Sequence, residues 1–138
     1  MSQDSGREGD QVQAVGAGMV MIVEDHDGIR ESLAELLEGW DRVTVTVKSG
    51  EAALQMLRGG CRPAVILLDL KMDGLNGWDF RREQMNDPRF RDVPVVIMTA
   101  LSIPDGSARA EVGEVTWLRK PFSPEELAAA LAVAGDER

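Results

Sequence analysis

Five polar side chains that could perform chemistry stand where short apolar runs of this chain end. They are, in chain order, Glu24, Asp25, Asp69, Thr99 and Lys120. A carboxylate at the edge of an apolar interior is costly unless a cation or hydrogen-bond donors meet it, and carboxylates brought together repel one another. A divalent cation resolves that repulsion, and carboxylate oxygens suit Mg²⁺, which prefers octahedral oxygen ligands and retains water. The pattern predicts a Mg²⁺ site if the fold gathers the three acids.

Asp69 is the candidate nucleophile of this set. A bound Mg²⁺ would hold its carboxylate ionised and shield an incoming phosphoryl group, so that the carboxylate oxygen could attack phosphorus. The Thr99 hydroxyl could donate to a phosphoryl oxygen, and the Lys120 ammonium could offset phosphoryl charge. Taken singly, these residues have ordinary explanations as a solvated acid, a strand-end threonine and an exposed lysine. Together they favour phosphoryl transfer.

The stretch Ala64–Leu70 predicts the strand around which the other elements are arranged. An unbroken apolar run is typical of a parallel strand buried on both faces, and such a strand ends at the edge where open α/β folds place their ligands. The other predicted strands are Met19–Val23, Arg42–Val47, Val93–Thr99 and Val115–Leu118. The predicted helices are Asp27–Glu38 with Asp27 as N-cap, Gly50–Arg58, Trp78–Met85, Asp105–Glu111 and one that opens at Ser123 with a capping box.

Five strands that alternate with five helices indicate an α/β fold with a parallel sheet covered on both faces. Right-handed crossovers leave few topologies, and the flavodoxin-like strand order 2-1-3-4-5 belongs to a fold of this size. Strands 1 and 3 are neighbours in that order. Glu24, Asp25 and Asp69 would therefore converge at one edge of the sheet.

Composition narrows the class of protein. The 138 residues include 24 acids and 15 bases, a formal net charge of −9, which argues against broad contact with the phosphates of DNA or RNA. No apolar run is long enough to cross a membrane, and the first residues lack the features of a signal peptide, so we expect a cytoplasmic protein. The single cysteine, Cys61, excludes a disulfide within this chain, and the single histidine, His26, excludes a Cys/His metal cluster.

The N-terminal residues differ from the rest of the chain. Residues 1–18 are rich in Gly, Ser, Gln and Asp and have no helical or strand period, which predicts a flexible tail. Residues 19–138 hold all of the predicted strands and helices. We therefore expect a single folded domain over 19–138.

The chain from Met19 to Ala134 resembles the receiver domain of two-component response regulators. The resemblance rests on four motifs and their spacing: MIVEDHDGIRESL, VILLDLKMDGLNGWDF, VIMTA and WLRKPFSPEEL. It implies that Asp69 accepts phosphate from a histidine kinase or a histidine phosphotransfer protein. It also implies self-catalysed transfer to one aspartate of the chain, and not an enzyme that turns over a metabolite.

The same resemblance implies roles for the site residues. Oxygen ligands for Mg²⁺ would come from Glu24, Asp25, the side chain of Asp69 and the backbone carbonyl of Lys71. Thr99 and Lys120 would contact the phosphoryl group. Phosphorylation would draw Thr99 toward the phosphoryl oxygens and let Trp117, at the aromatic switch position, turn inward. The surface of helix 4, strand 5 and helix 5 would then change its affinity for an output protein that the sequence does not identify. From the sequence alone, a half-buried strand tryptophan is an equal alternative for Trp117.

Two departures from the family pattern lie close to the predicted site. Asp73 stands where proline is usual, and its carboxylate either tunes metal affinity or faces water, the second being favoured. Arg81 and Gln84 stand where helix 3 usually has leucines. Helix 3 is therefore predicted to be weakly amphipathic, so that it packs lightly or meets a partner.

A third departure concerns the segment Leu101–Val112. It looks about one residue shorter than usual and contains the turn signal Pro104-Asp105-Gly106, which predicts a short or partly disordered helix 4. Leu101 follows Thr99 by two residues, and an apolar side chain there could exclude the hydrolytic water. We therefore expect slow self-dephosphorylation, which a half-life of seconds for the aspartyl phosphate would contradict.

Several alternatives remain open. Only Ala134–Arg138 follow the last helix, so we expect a single-domain regulator, a monomer or weak dimer, but a receiver fragment of a larger response regulator or hybrid kinase is the alternative. A Mg²⁺-dependent aspartyl-phosphate phosphatase would need an Asp where Lys71 stands. A flavodoxin-like flavin binder would need a Ser/Thr/Gly-rich phosphate loop after strand 1, where the acidic EDHDG stands.

Overall fold

The computed structural model of the protein describes residues 18–100 and 106–135. Five strands are present: β1 (Val20–Val23), β2 (Thr44–Val47), β3 (Val65–Asp69), β4 (Val95–Thr99) and β5 (Thr116–Arg119). Five helices follow them in turn: α1 (Asp27–Gly39), α2 (Gly50–Arg58), α3 (Gly77–Met85), α4 (Gly106–Ala110) and α5 (Pro124–Val133). The predicted flexible tail, 1–18, lies outside the described residues except for Gly18.

The strands form one parallel sheet in the order β2-β1-β3-β4-β5, which confirms the predicted flavodoxin-like α/β fold. In the register of the sheet Asp69 pairs with Met98, and Thr99 pairs with Arg119. Because all strands run in the same direction, their carboxyl ends meet at one edge. The strand order therefore places the site residues together at this edge.

The core lies on both faces of the sheet, as expected for a parallel sheet covered by helices. All residues of β1, β3 and β4 are buried. Ile66 and Leu68 pack in the cluster that includes α2 and α3, whereas Val65 and Leu67 pack in the cluster that includes α1 and α5. The strand β2 is at the edge of the sheet and only partly buried, as its alternating sequence predicts.

The first helix begins differently from the prediction. His26, not Asp27, is the N-cap of α1, and its Nδ1 accepts the backbone N–H of Ile29 at 3.2 Å. The predicted cap is wrong because the Asp27 carboxylate instead pairs with Arg30 one turn further on. The capping box at α5 is confirmed, since Ser123 and Glu126 exchange hydrogen bonds between side chain and backbone.

The structure also corrects the prediction that α3 packs lightly or meets a partner. Arg81 and Gln84 are buried, with 7% and 0% of their surface exposed. Arg81 donates to the backbone carbonyls of Val112 at 2.6 Å and Glu114 at 3.2 Å, and to Gln84 Oε1 at 2.8 Å. The side-chain amide of Gln84 donates in turn to two carbonyls of the segment before β4, at 3.1 and 3.0 Å. Helix α3 is therefore held by polar contacts where leucines would have held it by apolar ones.

The fourth helix is short, as predicted. It contains five residues, Gly106–Ala110, and the preceding residues 101–105, which include Leu101 and the first two residues of the turn signal, lie outside the described part of the chain. The expectation of slow dephosphorylation, which depends on Leu101, therefore stays a prediction. Among the helices of 18–100 and 106–135, none has the length and apolar character needed to cross a lipid bilayer.

Candidate functional site

The five residues singled out from the sequence lie at the carboxyl edge of the sheet. Asp69 and Thr99 are the last residues of β3 and β4. Glu24 follows the last residue of β1, and Lys120 follows the last residue of β5. Since β1, β3, β4 and β5 are neighbours in the sheet, side chains that are up to 96 residues apart in the sequence come into contact.

The three acids form a compact cluster. One carboxylate oxygen from each of Glu24, Asp25 and Asp69 lies within 4.8 Å of the other two. Glu24 is 1% exposed and Asp69 is 6% exposed, whereas Asp25 is exposed to solvent. Two buried carboxylates and one at the surface form an oxygen-rich site that is open on one side.

Lys120 forms ion pairs with both buried acids. Its Nζ lies 3.3 Å from Glu24 Oε1 and 3.5 Å from Asp69 Oδ1. Ion pairs at these distances offset part of the repulsion between the two carboxylates. One ammonium group facing three carboxylates leaves the cluster negatively charged.

The pKa of Asp69 records this imbalance. Burial and the neighbouring Glu24 charge raise the pKa of Asp69 from 3.8 to about 6, although Lys120 and the Lys71 backbone N–H act in the opposite direction. The protein therefore places the ionised form of this carboxylate at a disadvantage. The oxygen donors and the excess negative charge fit a small divalent cation, which would restore the ionised form.

Backbone N–H groups orient the acids. Glu24 Oε2 accepts the N–H of His26 at 3.1 Å, Asp25 Oδ2 accepts that of Asp73 at 3.2 Å, and Asp69 Oδ1 accepts that of Lys71 at 3.4 Å. These contacts fix the carboxylates without neutralising them. Sequence reasoning did not find them, because backbone donors in a loop have no residue-type signature.

The position of Asp73 bears on a question left open by the sequence. The residue is exposed, as favoured, yet its backbone N–H contacts a carboxylate of the cluster. A proline would lack that N–H. Asp73 thus contributes to the site through its main chain.

A small pocket lies beside Asp69. Its volume is about 240 Å³, and the residues that line it are Asp69, Lys71, Thr99, Ala100 and Lys120. Thr99 lines this pocket and is only 1% exposed, so it is buried and does not lie on the outer surface. The pocket brings together the predicted phosphoacceptor and both predicted phosphoryl contacts.

Trp117 lies away from the acids on β5. It is partly buried against the core, and its ring centroid is 6.2 Å from that of Trp78 in the first turn of α3, with the ring planes tilted by 54°. Trp117 is therefore a half-buried residue of its strand, as one of the two sequence-based alternatives expected. Its movement on phosphorylation stays a prediction, as does metal binding by the Lys71 carbonyl.

Comparison with known proteins identifies relatives of this arrangement. Residues 20–132 match the family model described as the response regulator receiver domain. The chemotaxis protein CheY4 of Vibrio cholerae has a similar structure, with a TM-score of 0.76 and 27% identity over 84% of this chain and 97% of that one. The signal receiver domain of a signal transduction histidine kinase from Syntrophus aciditrophicus has a TM-score of 0.76 and 31% identity, covering 86% and 89%.

Curated relatives are longer than this chain. The phosphate regulon transcriptional regulatory protein PhoB of Escherichia coli is 33% identical over 114 residues, which cover 82% of this chain and 49% of PhoB. The probable transcriptional regulator ycf27 of Guillardia theta is 36% identical over 111 residues, covering 80% and 42%. The matched region thus spans about half the length of these relatives.

Proposed function

The chain belongs to the response regulator receiver domain family of two-component signalling, and we propose that it accepts a phosphoryl group on Asp69. The donor would be a phosphohistidine of a histidine kinase or of a histidine phosphotransfer protein. The chain would act on its own aspartate and would not turn over a metabolite. Its surface would then present a different affinity to an output protein.

One observation carries the proposal: the Lys120 ammonium lies within 3.5 Å of both Glu24 and Asp69, two of the three clustered acids, and Lys120, Asp69 and Thr99 line the same pocket. A structural ion pair would be complete with one acid and one base. Here a buried aspartate has a like-charged neighbour, a cation on one side and an adjacent cavity, which suits a group that receives an anionic phosphoryl.

The reaction is a transfer between two nucleophiles. An oxygen of Asp69 attacks phosphorus, the phosphorus–nitrogen bond of the donor breaks, and the histidine leaves with its electron pair and takes up a proton. Lys120 is placed to contact a phosphoryl oxygen, because its Nζ already lies 3.5 Å from Asp69 Oδ1. Thr99, on the adjacent strand, lines the same pocket and can donate a hydroxyl hydrogen bond.

The carboxylates of Glu24, Asp25 and Asp69 form a cluster that could hold a divalent cation, and the backbone carbonyl of Lys71 would be a further ligand. A bound Mg²⁺ would neutralise the acid cluster and shield the charge of the incoming phosphoryl group. The chain itself supplies the preorganisation: Glu24 is buried and held at its backbone carbonyl by Arg30 at 3.0 Å. These residues therefore need little rearrangement before transfer.

The output would depend on Thr99 and Trp117. Thr99 follows Met98 on β4, and Thr99 pairs with Arg119, two residues after Trp117 on β5. A phosphoryl group that draws Thr99 toward its oxygens would disturb the neighbouring β5 position, and the Trp117 ring would turn inward. Intrinsic fluorescence of Trp117 and Trp78, whose rings are 6.2 Å apart, should report this step.

The test is direct labelling. The protein is incubated with Mg²⁺ and a small phosphodonor such as acetyl phosphate, and the intact mass is followed. We expect one added phosphoryl group, which is absent after chelation of the metal and absent in Asp69→Asn. Asp73→Asn, which changes an exposed acid of the same loop, should label normally. Unchanged labelling of Asp69→Asn would refute the assignment.

A further inference from the structure

The loop between β3 and α3, residues 70–76, contributes backbone hydrogen bonds to the site and is itself held by a contact from another helix. It donates the Lys71 N–H to Asp69 at 3.4 Å and the Asp73 N–H to Asp25 at 3.2 Å. Two of the three carboxylates of the cluster are thus oriented by this loop. Anything that moves the loop also moves those hydrogen bonds.

The N-terminus of α2 holds the loop from the outside. Glu51, in the first turn of α2, accepts the backbone N–H of Leu75 with its Oε2 at 3.1 Å. This contact spans 24 residues of sequence. The two residues that it joins lie outside the acid cluster, so the contact supports the loop without taking part in the cluster.

Two glycines allow the helix and the loop to approach so closely. A Cβ at Gly50 would lie 2.9 Å from the Leu75 carbonyl oxygen, a separation that a side chain cannot adopt without displacing the loop. Gly74 has a φ of +73°, and a Cβ there would lie 3.0 Å from Glu51 Oε2. The α2 N-terminus and the loop are therefore in contact through their backbones.

We propose that Gly50 and Glu51 are positioning residues for the divalent-cation site: by fixing the loop, they set how tightly Asp25 and Asp69 hold the ion. The inference rests on the proposed function, because it assumes that the acid cluster binds a cation. Carboxylates that are already oriented lose less freedom when they coordinate a metal, and loss of such outer support costs roughly 10- to 100-fold in metal affinity. Glu51 acts through the loop, one contact further away, so we expect about 3- to 10-fold.

The experiment is a Mn²⁺ titration in which the free ion is counted by electron paramagnetic resonance, so that no phosphorylation is needed. Glu51→Ala removes the hydrogen-bond acceptor and the charge, and we expect its dissociation constant for Mn²⁺ to rise about 3- to 10-fold. Glu51→Gln keeps an acceptor oxygen without the charge and should stay close to wild type. Glu35→Ala, which removes the same charge from an exposed position of α1, should also stay close to wild type.

Gly50→Ala provides an independent variant, since it pushes on the loop from the neighbouring position and should weaken Mn²⁺ binding in the same direction. An unchanged dissociation constant in both Glu51→Ala and Gly50→Ala would overturn the inference. Equal weakening in Glu51→Ala and Glu51→Gln would also overturn it, because the effect would then be one of charge and not of position. Wild type that binds no Mn²⁺, or that binds it as well after Asp25→Asn and Asp69→Asn, would instead refute the cation site of the proposed function.

Discussion

Two clusters of buried polar groups lie at opposite edges of the sheet, and they differ in whether the protein satisfies them. At the edge where β4 and β5 begin, the Arg81 guanidinium meets two backbone carbonyls and Gln84. At the edge where β1 and β3 end, Asp69 meets a second buried carboxylate, Glu24, and shares one ammonium group with it. In the first cluster each guanidinium nitrogen has an oxygen acceptor, whereas the second cluster carries excess negative charge.

The two clusters can be distinguished by how much of the desolvation cost of each buried charge is offset by contacts within the chain. Both cost desolvation free energy. The hydrogen-bonding part of the cost at Arg81 is offset within the chain, because Nε, Nη1 and Nη2 of its guanidinium each donate to an oxygen acceptor, although burial still lowers the pKa of the guanidinium. The cost at Asp69 is only partly offset, as its raised pKa of about 6 records. We propose that a cation and then a phosphoryl group, both from outside the chain, offset the remaining cost at the second cluster.

The largest expected effect is at Arg81. Arg81→Ala leaves the carbonyls of Val112 and Glu114 and the Gln84 side chain without this donor, so the free energy of unfolding should fall by about 2–4 kcal/mol. Arg82→Ala, at the adjacent exposed position with ion pairs to Asp79 and Glu111, should change it by no more than about 0.5 kcal/mol. Urea denaturation measures both. Equal losses in the two variants would erase the distinction between the clusters.

Asp69 should behave in the opposite way. Asp69→Asn removes a charge that the metal-free protein holds at a disadvantage, so at pH 7 in the presence of a chelator it should raise the free energy of unfolding by on the order of 1–3 kcal/mol. The two variants, Asp69→Asn and Arg81→Ala, should therefore change the free energy of unfolding in opposite directions. A destabilised Asp69→Asn protein under these conditions would show that the acid cluster is satisfied within the fold.

The gain from Asp69→Asn should depend on pH. The pKa of Asp69 is about 6 in the folded protein against an ordinary 3.8, so below about pH 3 the carboxyl is protonated in both folded and unfolded chains and costs nothing. Between about pH 3 and about 6 the unfolded chain releases the proton first, and the cost of folding with an ionised Asp69 grows. Denaturation curves of wild type and variant should therefore lie closest together near pH 3 and separate as the pH rises. Constant separation across this window would contradict the assignment.

Mg²⁺ should stabilise one cluster and leave the other unchanged. At a concentration ten times its dissociation constant, Mg²⁺ should raise the free energy of unfolding of wild type by about 1.4 kcal/mol. The gain should disappear in Asp25→Asn and persist in Arg81→Ala, whose contacts lie at the other edge of the sheet. Thermal unfolding with and without chelator checks this. Loss of the gain in Arg81→Ala would mean that the two clusters are coupled.

The fold and the gathering of the site residues at the carboxyl edge of the sheet were predictable because they depend on residue types at regular spacing. Apolar runs that end in Asp69 and Thr99 give the strands, and the order of the strands gathers their ends. The loop contacts were not predictable, since the N–H groups of Asp73 and Leu75 carry no residue-type signature. The role of Arg81 was missed for a different reason: a charged residue on a helix predicts exposure, and only the tertiary placement of the Val112 carbonyl supplies its partner.

The most direct test of the central claim is the location of the phosphoryl group. After labelling with Mg²⁺ and acetyl phosphate, the acyl phosphate is reduced with borohydride, which converts the phosphorylated aspartate to homoserine, and the peptides are sequenced by mass spectrometry. We predict conversion at Asp69, with Asp25 and Asp73 retained as aspartate. Conversion at Asp25 or Asp73, or at none of the three in protein that carries phosphate, would contradict the account.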